Sequence, residues 1–148
     1  MVRADRFEPL PDDVLDRWST FGRWPDRQYF PGLLGLEIEE LKADYCRMRL
    51  PFRPEHEQPA GVVHGGALAT LMDTVVVPAI GSAYGPETQY MTVTMNLSYI
   101  GAVKEADVVA EGWVTRRGRS TVFCRAEAMC DDRLVMEGSL VYAVREPR

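Results

Sequence analysis

The stretch from Gly61 to Thr74, GVVHGGALATLMDT, decides how the rest of the chain is interpreted. After the His-Gly-Gly, its apolar residues recur at helical spacing, which predicts one helix from about His64 to about Ser82. The predicted core-facing stripe of this helix comprises Leu68, Leu71, Met72, Val75, Val76 and Ala79. Asp73 places a carboxylate in an otherwise apolar segment, and its presence there needs a physical reason.

Alternation of apolar and polar residues predicts antiparallel strands on both sides of this helix. Residues 33–52 alternate twice and predict a hairpin or a bent pair of strands, with Leu34, Leu36 and Ile38 on one face. Residues 91–99 predict the clearest strand, and three further segments joined by tight turns extend it into a meander of four strands. One long helix against one curled antiparallel sheet is an α+β architecture.

The chain is predicted to form one domain, residues 1–148, because 148 residues with a hydrophobic content of 46% can bury a single core. Residues 1–30 are predicted to form an N-terminal helical arm and residues 31–148 the core. In the arm, Asp12 or Asp13 is the expected N-cap of a helix that Gly22 and Pro25 end. The apolar residues of that helix are Val14, Leu15, Trp18 and Phe21.

The composition argues against several classes of function. A net charge of -5 disfavours a broad nucleic-acid or anionic-membrane surface. The sequence shows neither a signal-peptide pattern nor an apolar stretch of membrane-spanning length. Cys46, Cys124 and Cys130 lack metal-ligand spacing and are typical of reduced, buried thiols. We therefore expect a cytoplasmic protein without a metal, a nucleic-acid partner or a membrane association.

The predicted helix is apolar on almost every side, since Ala69 and Val77 lie opposite the core stripe. One small sheet cannot cover such a helix, which needs a second covering surface. A second copy of the chain is the simplest source of that surface, so we expect a homodimer with the helix close to the interface. Asp73 is expected on the side of the helix that points towards this interface.

Asp73 and the two glycines at the helix start have a chemical interpretation. Gly65 and Gly66 leave the first backbone N–H groups unobstructed at the positive end of the helix dipole, where an oxyanion is stabilised. The Asp73 carboxylate can act as a general base or a nucleophile. Each feature also has a structural alternative: Asp73 can pair with Thr70 or Thr74 or reach solvent, and the glycines can simply allow close packing on a strand.

Together these groups suit thioester hydrolysis, which passes through an oxyanion and expels a thiolate that needs no strong general acid. Gly65 and Asp73 lie about 12 Å apart along one helix, too far to contact the same carbonyl group. We therefore expect Gly65 of one subunit to face Asp73 of the other.

The motif GVVHGGALATLMD, its flanking strand pattern and the segment TVTMNLSY resemble the hotdog-fold acyl-CoA thioesterases of the phenylacetyl-CoA (PaaI) type, over about residues 30–145. The resemblance implies a hotdog fold, in which a curved antiparallel sheet wraps a long central helix. It implies a dimer with two composite sites, commonly paired into a tetramer. Acyl-CoA is the implied substrate, with no cofactor beyond the coenzyme A that the substrate carries.

The resemblance also implies roles for single residues. Asp73 is the catalytic base or nucleophile, the Gly65 N–H is the oxyanion donor, and Thr92 assists the acid or the water. Gln58 stands six residues before His64, where the family usually has an asparagine that helps to hold the thioester or the water. His64 is implied to be a positioning residue whose ring bonds to the backbone.

The phosphates of coenzyme A would need cations in this acidic protein. The segment TRRGRS, residues 115–120, places three arginines around a predicted hairpin turn, and arginine suits phosphate geometry. A solvated turn is the alternative, and Lys104 and Arg53 are weaker candidates. The predicted substrate-binding residues are His64, Gly66, Asn96, Arg116, Arg117 and Arg119.

Two alternatives to a thioesterase remain open. A hotdog hydratase or dehydratase pairs a loop histidine with a helix acid, which His56 and Asp73 could mimic. However, His56 stands in a charged loop and is expected to be solvated or at the mouth of the site. The other alternative is a non-catalytic acyl-CoA-binding protein, because Gln58 is one methylene longer than the family asparagine. The acyl group itself cannot be named from the sequence.

Overall fold

A computed structural model describes residues 2–148 and shows one long helix packed against a six-stranded antiparallel sheet. The helices are α1 (Asp12–Trp18), α2 (Phe30–Leu34) and α3 (Gly65–Gly81), with 3-10 turns at Arg3–Arg6 and Pro54–His56. The strands are β1 (Glu37–Lys42), β2 (Tyr45–Leu50), β3 (Glu57–Gln58), β4 (Val62–Val63), β5 (Gln89–Tyr99), β6 (Val108–Arg117), β7 (Thr121–Cys130) and β8 (Arg133–Arg145). This is the predicted α+β architecture, a hotdog fold with α3 as its central helix. Within the described residues, no helix has the length and apolar character needed to cross a membrane.

The main sheet has the strand order β1-β2-β6-β7-β8-β5, and β3 and β4 form a small separate hairpin ahead of α3. β1 and β2 form the predicted hairpin. β6, β7 and β8 form a meander, but β5 lies at the far edge beside β8, with Gln89 opposite Arg145 and Tyr99 opposite Met136. The prediction of a four-strand meander that begins with β5 is therefore wrong. Alternation of apolar and polar residues identifies each strand. Which strand pairs with β5, however, depends on the path of residues 100–107, which connect β5 to β6.

The segment before β1 folds differently from its prediction. Residues 30–34 form α2, whose first turn contains Pro31, where a missing N–H costs no helical hydrogen bond. Gly35 ends α2 in the left-handed conformation, with a φ of 75°. Leu34 is therefore a buried residue of α2. It does not belong to the predicted strand, because β1 begins only at Glu37.

The N-terminal arm passes from the outer face of the sheet, along the β1–β2 turn, to the end of α3. At one end, the Arg3 guanidinium donates to Glu111 on β6 and to Glu127 on β7. At the other end, Arg17 donates to the carbonyl of Gly81, the last residue of α3 (3.2 Å). The Ala43 N–H of the β1–β2 turn bonds to the Glu8 carbonyl between them (2.9 Å). The arm is thus attached to both faces of the core.

The helix predicted in the arm is present as α1 but is shorter and capped differently. It ends at Trp18, so Phe21 lies beyond it, and Pro11 occupies the N-cap. Asp12 and Asp13 lie inside the first turn and make no side-chain cap, so the N-cap prediction is wrong. Their charges still suit this position, because the N-terminal end of a helix attracts carboxylates.

α3 packs most tightly on the concave face of the sheet formed by β2 and β6. Leu71, Met72, Val75 and Val76 are completely buried there. Gly112 on β6 makes this approach possible, since a Cβ at this position would lie 2.8 Å from Val75 Cγ1 and 3.1 Å from the Val75 carbonyl carbon. The close packing of α3 on β6 therefore depends on the absence of a side chain at Gly112.

We expect Gly112→Ala to lower the free energy of unfolding by about 1–3 kcal/mol, the usual cost of forcing an extra methyl into a packed core. Urea unfolding checks this. Gly85→Ala is the matched control, because a Cβ at Gly85 has no heavy atom within 4 Å and should leave stability almost unchanged. An unchanged unfolding midpoint for Gly112→Ala would mean that α3 does not rest on β6 as described.

Candidate active site

The carboxylate of Asp73 is held by two hydroxyl groups of the sheet. Thr92 on β5 donates to Asp73 Oδ1 (2.9 Å), and Tyr142 on β8 donates to the same oxygen (2.5 Å). The Thr70 hydroxyl donates to the Gly66 carbonyl instead (2.8 Å). Thr92 thus lies beside Asp73, where the family resemblance places it, whereas the pairing of Asp73 with Thr70 that the sequence also allowed does not occur.

Tyr142 is the residue at this site that sequence reasoning missed. Its hydroxyl also lies 2.6 Å from the Asp73 main-chain oxygen, and burial together with the charge of Asp73 raises the pKa of Tyr142 well above its usual range. The phenol therefore remains a donor at neutral pH. Thr92 and Tyr142 face each other across the β5–β8 pairing, which the wrong strand order concealed. The available signal was a tyrosine at a core-facing position of β8, because a buried hydroxyl needs a partner.

Both donors bind Asp73 Oδ1, and Asp73 Oδ2 has no hydrogen bond within residues 2–148. The side chain is half-buried and lies on the wall of a cleft. The carboxylate thus has one oxygen that fixes its orientation and one that can accept a proton or attack a carbon atom.

At the start of α3, one backbone N–H has no acceptor in the part of the chain that the structure describes. His64 is the N-cap, and its Nδ1 accepts the Gly66 N–H (2.7 Å), so the ring bonds to the backbone as expected. The next two N–H groups, those of Ala67 and Leu68, bond to the His64 carbonyl. The Gly65 N–H has no acceptor among the described residues. It is therefore the donor at this helix start that a ligand can use.

Tyr99, at the end of β5, packs directly on Gly65. Its hydroxyl donates to the Gly65 carbonyl (2.9 Å), and a Cβ on Gly65 would lie 3.0 Å from the edge of the ring. The absence of a side chain at Gly65 therefore lets β5 approach the helix start. β5 thus reaches Asp73 through Thr92 and Gly65 through Tyr99.

Gln58 lies in the small β3–β4 hairpin that leads into α3. Its Oε1 accepts the Ala60 N–H (3.0 Å), so the amide oxygen is bound within its own turn. Gln58 precedes the helix start in the chain, as the resemblance implied, but it makes no hydrogen bond to Asp73 or Gly65 in the described chain.

The three predicted arginines lie at the other end of α3. Arg117 donates to Asp44 (3.0 Å from Nε) and to the Ile80 carbonyl (3.1 Å), so its guanidinium closes the C-terminal end of the helix. A cation suits that position, because the last carbonyls carry the negative end of the helix dipole. Arg116 and Arg119 are exposed. Since α3 has 17 residues, this end lies about 25 Å from Gly65 in the same subunit.

Asn96 is also separated from Asp73. It pairs with Ser139 in the β5–β8 ladder and lies on the outer face of the sheet, beside Ser98 and Arg125. Within one subunit, the structure therefore brings Asp73 and Thr92 together with Tyr142, places His64, Gly65 and Gly66 at the helix start, and leaves Asn96 outside.

His56 is buried, with an exposed fraction of 7%, so the expectation of a solvated side chain is wrong. Burial, assisted by the charge of Arg53, lowers the pKa of His56. Its Nδ1 has no partner within residues 2–148. The 3-10 turn at Pro54–His56 draws the ring inward, and its backbone carbonyl accepts the His64 N–H (2.7 Å). The residue therefore supports the loop that leads to the helix start.

A cleft of about 690 Å³ opens beside Asp73. One wall comes from α3, β5 and β8, and includes Thr92 and Tyr142. The other wall belongs to the arm and to α2 and consists of Phe21, Trp24, Asp26, Tyr29, Phe30 and Pro31. Its size lies within the range of small-molecule sites.

Comparison with known proteins finds sequence relatives and solved structures with a similar fold. A sequence profile described as thioesterase superfamily matches residues 60–142. A provisionally named esterase of Halobacterium salinarum is 34% identical over 115 residues, which cover 74% of this chain and 75% of that protein. A conserved protein of Pseudomonas aeruginosa has a TM-score of 0.76 at 31% identity, over 80% of this chain and 95% of that one. A mutant of the phenylacetic acid degradation protein PaaI from Thermus thermophilus has a similar fold, with a TM-score of 0.71 at 23% identity, over 77% and 96% of the two chains.

The buried His56 predicts a pH-dependent stability. Because the folded state lowers the pKa of His56, the unfolded chain binds the proton first as the pH falls below about 6.5, and stability falls with it. One proton bound by the unfolded chain and not by the folded state lowers the free energy of unfolding by up to about 1.4 kcal/mol per pH unit. We expect His56→Gln to flatten the dependence between pH 6.5 and 5, measured by urea unfolding at several pH values. Parallel profiles for wild type and His56→Gln would contradict the assignment.

Proposed function

The chain belongs to the thioesterase superfamily, and from this premise we propose that it hydrolyses an acyl-CoA thioester to the free acid and coenzyme A. The observation that carries the proposal is the arrangement of Asp73 beside the cleft. Thr92 and Tyr142 fix its Oδ1, while its Oδ2 has no hydrogen bond within residues 2–148. A carboxylate that served only the fold would have little need of a free oxygen at a cleft.

In the proposed reaction, Asp73 Oδ2 takes a proton from a water molecule whose oxygen attacks the thioester carbonyl carbon. The carbonyl oxygen becomes an oxyanion and accepts a hydrogen bond from a Gly65 N–H at the positive end of α3. When the tetrahedral intermediate collapses, the C–S bond breaks and coenzyme A leaves as a thiolate. A thiol pKa near 8.5 makes this leaving group good without a strong general acid.

Because Asp73 and Gly65 of one chain are about 12 Å apart along α3, we propose that each site uses Asp73 of one subunit and Gly65 of its partner. β5 supports this arrangement, since it is an edge strand with exposed apolar side chains, among them Met91 (53% exposed) and Val93 (62% exposed). A long apolar edge of this kind favours pairing with another strand.

The contacts of β5 suggest the geometry of the dimer. If β5 pairs antiparallel with its copy about a two-fold axis at Asn96, and Val93 is again the extra residue of a bulge as in the β5–β8 ladder, Thr92 of one subunit lies opposite Tyr99 of the other. Thr92 contacts Asp73, and Tyr99 contacts Gly65. This pairing would therefore bring the carboxylate of one subunit towards the helix start of the other, and the symmetry would repeat the site.

A protein that binds acyl-CoA without hydrolysis is the second candidate. It is favoured by Gln58, whose amide oxygen is occupied within its own hairpin and not turned to a substrate. The hydratase alternative loses its support, because the histidine it requires, His56, is not among the described residues that line the cleft beside Asp73. Measuring hydrolysis of acyl-CoA distinguishes a thioesterase from a protein that only binds acyl-CoA.

We expect Asp73→Asn to reduce kcat for thiol release from hexanoyl-CoA by at least about a hundredfold, the usual contribution of a general base, with little change in KM. The asparagine oxygen can still accept from Thr92 and Tyr142, so the fold should persist. Asp132→Asn, which removes an exposed carboxylate from the β7–β8 turn, is the control. Undiminished kcat in Asp73→Asn would exclude this residue as the base. Binding without any turnover by wild type would favour the acyl-CoA-binding alternative.

The oxyanion donor can be removed by Gly65→Pro. Proline is tolerated at the first position of a helix, and His64, with φ -62° and ψ 134°, has the extended conformation that precedes proline. We expect kcat to fall by about a hundredfold to a thousandfold. Gly65→Ala adds a Cβ near Tyr99 but keeps the N–H, and so it measures the steric effect alone.

The two defective chains also test the shared site. Refolded together in equal amounts, Asp73→Asn and Gly65→Pro should form mixed dimers in half of the cases, each with one intact site. Activity should then recover to about a quarter of the wild-type value, as expected for an interface related by two-fold symmetry. A mixture no more active than either variant alone would place both groups of each site in the same subunit.

A further inference from the structure

The arm side of the cleft is an aromatic wall, formed by Phe21, Trp24, Tyr29 and Phe30. The Phe21 and Trp24 rings lie 5.3 Å apart, and the Trp24 and Tyr29 rings 5.1 Å apart, both in edge-to-face contact. Tyr29 and Phe30 nevertheless remain 42% and 59% exposed. The wall thus presents apolar surface to the cleft that no other part of the described chain covers.

The wall is fixed in place by backbone contacts. Gly22 adopts the left-handed conformation (φ 83°), and its carbonyl oxygen would lie 2.5 Å from a Cβ on Gly32, so the arm and α2 touch at their main chains. The Trp18 ring packs against Gly81, at the end of α3, and continues to Phe21 (5.8 Å between ring centroids). The aromatic wall is therefore held against the helix that carries Asp73.

We infer that this aromatic wall is the acyl-binding surface of the site, and that it selects bulky, uncharged acyl groups over small or carboxylated ones. The inference rests on the proposed thioesterase function. It assigns Phe30, Trp24 and Asp26 as specificity-determining residues. All three lie outside residues 60–142, the part matched by the superfamily profile, so the chemistry and the selectivity come from different parts of the chain.

Selection by size follows from the position of the wall across the cleft from Asp73. A thioester carbonyl placed at Asp73 directs its acyl chain into the space of about 690 Å³ between the two walls. An acetyl group would leave the aromatic surface in contact with water, whereas a longer or ring-containing acyl group would cover it. Each buried methylene is expected to raise kcat/KM by about fourfold.

Selection by charge follows from the acidic residues of the cleft. Asp26 and Asp73 line it, and no lysine, arginine or histidine is among the described lining residues. The Arg27 guanidinium lies over the Tyr29 ring, 5.1 Å from its centroid, but it is not part of the lining. An acyl group that ends in a carboxylate would therefore meet like charge. Because Asp26 is exposed and screened by water, we expect it to contribute about fivefold at most.

The test compares kcat/KM for acetyl-, hexanoyl-, phenylacetyl- and glutaryl-CoA in wild type and variants. Phe30→Ala should lower kcat/KM for hexanoyl- and phenylacetyl-CoA by about fourfold to sixteenfold, the loss expected for one or two methylenes that are no longer buried, and leave acetyl-CoA within twofold. Asp26→Asn should raise kcat/KM for glutaryl-CoA by about threefold to fivefold without affecting hexanoyl-CoA.

The chain offers a matched control for each variant. Leu33 is also on α2 and is 56% exposed, but it does not line the cleft, so Leu33→Ala should leave all four substrates unchanged. Asp16→Asn removes an exposed carboxylate of α1 that is likewise outside the cleft. Equal losses for acetyl-CoA and hexanoyl-CoA in Phe30→Ala, or no loss for either, would overturn the inference.

Binding distinguishes this inference from the proposed function. If wild type hydrolyses none of the four thioesters, the proposed hydrolysis fails, and calorimetric titration with acetyl- and hexanoyl-CoA then decides the inference. Tighter binding of hexanoyl-CoA that is lost in Phe30→Ala and kept in Leu33→Ala would support it. Equal affinity for both ligands, or a preference that Phe30→Ala does not change, would reject it.

Discussion

Burial of α3 is the constraint on which the rest of the structure depends. The helix exposes almost no polar surface, and its packing against β2 and β6 is close enough to require glycine at position 112. Because a packed interior does not deform easily, the helix has a fixed position relative to the sheet. Its two ends and its one carboxylate are consequently fixed as well. The N-terminal end offers the Gly65 N–H, and the C-terminal end is closed by Arg117.

Asp73 is the exception within this apolar helix, and its stability there has a clear physical origin. A half-buried carboxylate is tolerated when donors replace water, and Thr92 and Tyr142 supply two hydroxyl groups from adjacent strands at the sheet edge. The same edge strand, β5, holds Tyr99 against Gly65 and leaves its apolar residues exposed. One strand therefore connects the carboxylate, the helix start and the surface proposed for dimer formation.

The core and the arm contribute different chemical groups to the site. The core supplies hydroxyl, carboxylate and backbone N–H groups, all attached to regular secondary structure. The arm supplies aromatic rings held by close main-chain contacts, as Gly22 and Gly32 show. A wall of this kind can change without altering the residues around Asp73, so the proposed acyl selectivity can vary independently of the proposed thioester chemistry.

The sequence by itself determined the central helix, the positions of most strands and the α+β class, because periodicity is a local property. The place of Thr92 beside Asp73 followed from the resemblance to the hotdog thioesterases. Only the tertiary structure decided that β5 lies beside β8, that Tyr142 reaches Asp73, that Asn96 faces away and that His56 is buried. Each of these depends on contacts between residues distant in the chain. Alternation fixes which residues share a face of a strand, but the pairing of strands is set by how the sheet closes around α3. Tyr142 and Asp73, 69 positions apart, become neighbours only through that closure.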